Sequence, residues 1–153
     1  MIIGDSSALI TLALIDKLEL LEQLYLEVYV PQAVYDEVTS IDKPYSDKLK
    51  SFLQPRVKSV DSSITKIGLG EGELEAIVLY KELNSDLLLI DDSRAKKFAI
   101  INGIKVIGSL GVLIDAKNKG LIQEIKPYLE MIVNSQIYIS NKLIQKVLEI
   151  CNE

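Results

Sequence analysis

The sequence predicts an α/β fold with a mostly parallel central sheet, and three observations carry that reading. Short apolar runs at 1–4, 26–30, 86–90 and 105–107 have strand character, stretches of helical periodicity separate them, and the run at 86–90 is nearly continuous in apolar residues, as strands buried on both faces are. With 153 residues and 48% hydrophobic content the chain is long enough for a sizeable core but short for two, so 1–153 is read as a single domain.

Taken in order, Met1 to Gly4 is an apolar strand so close to the terminus that it most simply lies centrally and parallel. Asp5 follows at its carboxyl end, and Ser6 or Ser7 is placed to cap a helix starting at Ala8. Asp5 is equally well read as that cap. Leu9 to Leu24 is helical in pattern with an interruption near Asp16-Lys17, and Leu18, Leu20, Leu21 and Leu24 face inward. Leu26 to Val30 alternates as a strand, and Pro31 opens the next helix, where its missing N–H costs nothing. Val34 and Val38 mark the inner face of that helix, and spacing alone puts Glu37 on its solvated flank. Pro44 and Pro55 bracket a further helix, and Val57 to Val60 reads as a short edge strand.

The stretch from Gly68 to Lys97 organises the rest. Gly68, Gly70 and Gly72 permit a tight approach into a helix whose first turns carry Glu71, Glu73 and Glu75, where the helix dipole favours negative charge. Leu74, Ile77, Val78 and Leu83 follow at helical spacing, and Asn84-Ser85 breaks the helix before the strand that ends in Asp91 and Asp92. Ligands of open α/β sheets bind beyond the carboxyl ends of parallel strands, so Asp5 and the Asp91-Asp92 pair fall where a site is expected. Arg94, Lys96 and Lys97 then lie on a helix ended by Gly103. Lys105 to Ile107 is a strand, and the glycine-rich turn Gly108 to Gly111 leads into a helix from Val112 to Lys119. That turn lacks the lysine of a phosphate-binding loop and reads as close helix-to-strand packing. Ile122 to Asn134 is helical, Ile137 to Ile139 is extended, and Ser140 caps a last helix, Asn141 to Cys151, with an apolar stripe at Leu143, Ile144, Val147 and Leu148.

Composition removes whole classes of chemistry. There is no histidine and one cysteine, Cys151, so histidine-based triads, histidine-ligated zinc, thiolate clusters and an internal disulfide are all excluded. A bound metal has to rest mainly on oxygen ligands, which points to Mg²⁺ or Mn²⁺. A formal net charge of −5 argues against a protein that grips nucleic acid by a basic surface, but not against a metal-dependent nuclease. No apolar run reaches the length of a membrane span, and no basic region precedes the apolar start, so no membrane association is expected and the cytoplasm is the expected location.

Four motifs in order resemble the PIN-domain family: Ile2-Ile3-Gly4-Asp5-Ser6-Ser7, the Val-Pro-x-x-Val-x-x-Glu-Val element from Val30 to Val38, the Gly-x-Gly-Glu-x-Glu-Ala-Ile element from Gly70 to Ile77, and the strand ending in Asp91-Asp92. The segment Gly108 to Leu113 is similar to that of a poorly characterised prokaryotic branch of the family. The resemblance implies a three-layer α/β/α sandwich and a divalent-metal-dependent endoribonuclease, often the toxin of a toxin-antitoxin pair held by a small antitoxin protein. By the same resemblance the catalytic carboxylates are Asp5, Glu37, Glu73 or Glu75, and Asp91 or Asp92. Asp5, Glu73, Asp91 and Asp92 are the implied ligands of Mg²⁺ or Mn²⁺, and Ser6 matches the hydroxyl residue near the metal. Arg94, Lys96 and Lys97 are candidates for the RNA backbone, with a solvated helix face as the bland alternative. Two departures stand out: a glutamate occupies the third position where relatives more often carry aspartate, and Ile90 precedes the last acidic pair where a threonine is usual.

Two further readings compete with the ribonuclease. One is a PIN-like protein of little catalytic power whose acidic residues bind a metal or a partner. The other, a phosphatase or nucleotide-binding α/β protein, lacks any strong phosphate loop. The apolar helices at both ends also make a homodimer an expectation.

Overall fold

The computed structural model describes residues 1–61 and 69–153, so the reading of Gly68 lies outside the described residues. Among the described residues five parallel strands form one sheet: β1 (Ile2–Gly4), β2 (Val28–Pro31), β3 (Val57–Lys58), β4 (Leu87–Leu89) and β5 (Val106–Ile107), in the order β3-β2-β1-β4-β5. The strand nearest the terminus is therefore central, and Val57–Lys58 is the edge strand its position suggested. Ile2 stands opposite both Val28 and Leu87, so β1 has a parallel neighbour on each side.

Nine α-helices are present among the described residues: α1 (Ser6–Leu14), α2 (Glu19–Leu24), α3 (Gln32–Thr39), α4 (Ser46–Leu53), α5 (Glu71–Glu82), α6 (Ser93–Ile101), α7 (Ser109–Asn118), α8 (Lys126–Val133) and α9 (Asn141–Ile150). Strand side chains alternate between faces. Ile2, Val28, Val30 and Leu89 meet Leu9 and Leu12 of α1, Val34 of α3, Leu49 of α4 and Val112 of α7 in one core. Ile3, Leu88 and Ile90 meet Ala76 and Leu79 of α5 and Ala95 and Ala99 of α6 in the other. The result is a three-layer α/β/α sandwich.

The breaks between elements have local causes. Asp16 and Asn84 take left-handed backbone angles, with φ of 56° and 50°, and end the helical runs before them. Three helix starts differ from the sequence reading, and one of them is α7, which begins at Ser109 instead of Val112 because Gly108, not Gly111, takes its N-cap position. α1 begins at Ser6 instead of Ala8, because Asp5 already occupies the N-cap position while its N–H still pairs with Leu89 O of the sheet at 2.9 Å. The helix expected from Ile122 begins only at Lys126, with Pro127 in its first turn, because the Glu153 carboxylate accepts from the N–H groups of Ile125 and Lys126 and fixes the start there.

The strand order reverses at β1: the chain passes to β2 and β3 on one side, then returns to β4 and β5 on the other. That switch point opens a crevice at the carboxyl ends of β1 and β4, where Asp5 and the Asp91-Asp92 pair lie.

Candidate active site

Ser7 ties the two strand ends together. Its Oγ donates to Asp5 Oδ2 at 3.1 Å and accepts from the N–H groups of Asp91 and Asp92 at 3.1 and 3.2 Å. The short Asp-Ser-Ser sequence permits this, since the side chain two residues past the strand end can turn back across the neighbouring strand. The sequence reading gave Ser7 only a capping role; the acidic pair at the second strand end was the available signal.

Asp5 is 2% exposed and occupies the N-cap position of α1 without a side-chain capping hydrogen bond. Among the described residues Asp5 Oδ1 is the buried side-chain oxygen that has no hydrogen-bond partner. Burial pushes its carboxyl up to about 6, opposed by the Ser7 hydroxyl and adjacent backbone N–H groups, and the negative charge of Glu73 pushes it further.

A cleft of about 950 Å³ lies over Asp5. Ser6 and Ser7 of α1, Asp36 and Glu37 of α3, Glu73 and Glu75 of α5, and Asp92 border it. Ser6 Oγ donates to Glu37 Oε2 at 2.7 Å, so Glu37, although on an exposed flank as its spacing implied, turns its carboxylate toward the cleft. This approach needs Gly72: a Cβ there would lie 3.2 Å from both Glu37 Oε2 and Val34 Cγ2.

The structure distinguishes the residues within each acidic pair. Glu73 Oε2 accepts from Gly70 N–H at 2.8 Å at the start of its own helix, within electrostatic reach of Asp5. Glu75 Oε2 instead accepts from Ala33 N–H at 3.0 Å and caps α3. Asp92 borders the cleft and caps α6 through Ala95 N–H at 2.8 Å. Asp91 turns the other way, with Oδ1 accepting from Ser109 N–H at 2.8 Å and Oδ2 from Ser109 Oγ at 2.7 Å. The Gly108 turn is tight for the same reason, since a Cβ on Gly108 would lie 2.8 Å from Asp91 Oδ1 and one on Gly111 2.7 Å from Ile107 Cγ1. That is the close-packing reading of the glycine-rich turn.

The basic residues on α6 disperse. Arg94 and Lys97 are exposed and border neither this cleft nor the groove beyond it, whereas Lys96 lines that second groove beside Asp91.

An all-oxygen donor set of this kind suits a hard divalent cation. Asp5 Oδ1 is the atom that fits one best, because a buried, unpartnered carboxylate oxygen is costly unless a proton or a cation compensates it. The carboxylates border one cleft without converging: among the described residues no group of three or more stands close enough together to hold an ion. Among the described residues, too, no helix is long and apolar enough to cross a membrane.

No curated protein matches this chain. A family model, DUF3368, described as a PIN domain, matches residues 1–153. PIN domains are a nuclease-type fold family whose members typically use divalent metals. With the three-layer sandwich and the acidic cleft at its switch point in place, the match over the whole sequence makes this chain a member of the PIN-domain family.

Proposed function

We propose that the protein is a divalent-metal-dependent endoribonuclease that hydrolyses RNA phosphodiester bonds at the cleft over Asp5. The observation that carries this is the unpartnered, buried Asp5 Oδ1 at the carboxyl end of the central strand, beneath a cleft bordered by Glu37, Glu73 and Asp92. Asp5, Glu73 and Asp92 border the cleft without converging, so they would have to draw together around Mg²⁺ or Mn²⁺ to hold it, and the ion when bound would polarise the phosphodiester and lower the pKa of water. Ser7 holds Asp5 in place, and the Ser6 hydroxyl orients Glu37. Asp91 and Glu75 support the site by fixing α7 and α3. Arg94, Lys96 and Lys97 do not border the cleft, so on this reading they would meet only RNA that runs beyond it.

The family likeness extends the reading to the toxin of a toxin-antitoxin pair, restrained in the cytoplasm by a small antitoxin. A second reading, a PIN protein of weak catalysis that binds a partner, is favoured by the two acidic residues committed to structural bonds, Glu75 and Asp91. Cleavage of a labelled single-stranded RNA decides between the two. The nuclease reading expects Mn²⁺- or Mg²⁺-dependent cutting that EDTA abolishes and Asp5→Asn loses. Equal cutting by Asp5→Asn removes the site, and no cutting of varied substrates with retained partner binding supports the second reading.

A further inference from the structure

The side chains of Ile137–Ile139 alternate in burial, as those of a strand do, but among the described residues the segment pairs with no strand of the sheet. Ile137 and Ile139 pack against the core, while Tyr138 between them is 87% exposed. Ile137 N–H is satisfied by Ser135 Oγ at 3.0 Å. Among the described residues, the N–H groups of Tyr138 and Ile139 and the carbonyls of all three residues make no hydrogen bond. A run of unpaired backbone donors and acceptors whose side chains alternate in burial is a template for another strand.

Beside this segment runs a groove of about 490 Å³ between α1, α7 and α9, walled by apolar residues including Ile10, Leu110, Ile114 and Leu143. Leu143 and Ile150 remain 43% and 52% exposed, so the apolar stripe of α9 is only partly covered by its own domain. Lys96 and Lys146 also line the groove, and among the described residues neither is in an ion pair. Among the described residues the one carboxylate there, Asp91, is already held by Ser109.

We propose that this face binds an extended peptide segment that adds as a strand beside Ile137–Ile139, with alternate apolar side chains in the groove and acidic side chains against Lys96 and Lys146. A polypeptide fits better than RNA. Its backbone presents donors and acceptors at the spacing that the free backbone of Ile137–Ile139 requires, and the groove wall is mostly aliphatic, with Tyr138 its one aromatic residue among the described residues, not a series of aromatic faces on which successive bases stack. The groove shares Ser7 and Ile10 with the carboxylate cleft, so a bound peptide reaches the wall of that cleft. The proposal does not rest on the nuclease reading.

The test is fluorescence anisotropy on the full chain with a labelled, end-blocked peptide Glu-Ile-Thr-Ile-Thr-Ile-Glu. Saturable binding is expected, weakening with salt and falling by about tenfold or more in Leu143→Glu and in Lys146→Glu. Lys146 is exposed, so its variant keeps the test valid if Leu143→Glu does not fold. Two versions of the peptide, N-methylated on opposite alternate residues, identify strand addition: one should lose binding and the other keep it. Equal effects of the two, binding untouched by both variants, or no binding at millimolar peptide would overturn the proposal. So would an oligouridylate that binds in place of the peptide and is lost in Lys146→Glu, or a wild-type dimer that Leu143→Glu dissociates, since the occupant is then RNA or a second copy.

Discussion

Glu37 Oε2 sits 2.7 Å from the Ser6 hydroxyl and against Gly72 on the facing helix, where an added Cβ would lie 3.2 Å from it. Three elements, α1, α3 and α5, meet at that point, and the glycine sets how closely α5 approaches α3.

Gly72→Ala should therefore separate site geometry from stability. The added methyl meets Glu37 Oε2 and Val34 Cγ2 at 3.2 Å, so the Glu37 carboxylate has to move. Alanine is the better helix former by about 1 kcal/mol, which offsets part of the about 1–3 kcal/mol overpacking cost and keeps the net change small. RNA cleavage should fall by about tenfold or more, the scale of one misplaced group. Full activity in this variant would remove Glu37 from the site.

The two aspartates after β4 should respond in opposite ways to amidation. Asp91 uses both oxygens on Ser109, so Asp91→Asn turns one acceptor into a donor and should cost about 1–2 kcal/mol in urea unfolding. Asp92 caps α6, a role asparagine fills equally well, so Asp92→Asn should leave stability within about 0.5 kcal/mol while reducing cleavage and Mn²⁺ binding. The reverse pattern would make Asp91 the ligand.

Glu153 should matter to stability alone. Its carboxylate accepts from Ile125 N–H at 2.8 Å and from Lys117 Nζ at 2.6 Å, closing the start of α8 against α7 and α9. Glu153→Ala should lower stability by about 1–3 kcal/mol and leave the rate of RNA cleavage by the folded protein unchanged. A rate loss in the folded fraction would connect this corner to the cleft, which it does not border.

The layers of this fold were legible because each strand is a short apolar run with turn residues around it, and Asp5 and Asp91-Asp92 were legible as strand-end residues. That Glu75 and Asp91 take structural hydrogen bonds was not legible, because neighbouring side chains on a helix start or a strand end diverge by backbone direction, and their partners, Ala33 and Ser109, are remote in the chain. The same limit hid the role of Ser7 and the cap that Glu153 provides. Glu37 shows how a spacing rule can hold and still mislead: its residue is on the exposed flank, yet its long side chain reaches back to Ser6.

Asp5 links the proton, the metal and stability in one measurable curve. Its carboxyl ionises near 6 in the folded chain against an ordinary value of 3.8, because burial disfavours the charge. Between those two values the native state holds more protons than the unfolded state, so the contribution of Asp5 to stability is full below about 3.8, declines as pH rises through the window, and is lost above about 6. Without metal, Asp5→Asn should therefore be more stable than wild type at pH near 8, by up to about 3 kcal/mol for a shift of this size, and lose that advantage near pH 4. A cation at Oδ1 replaces the proton, so Mn²⁺ should raise the unfolding temperature of the wild type more at pH 8 than at pH 5, where the proton competes. At a hundredfold excess over Kd the gain is about 2.7 kcal/mol, and Asp5→Asn should lose most of it. Thermal unfolding of both proteins across pH, with and without Mn²⁺, reads all of this. A flat wild-type profile would show that the buried oxygen is compensated within the fold, and an equal Mn²⁺ shift in the variant would place the ion away from Asp5.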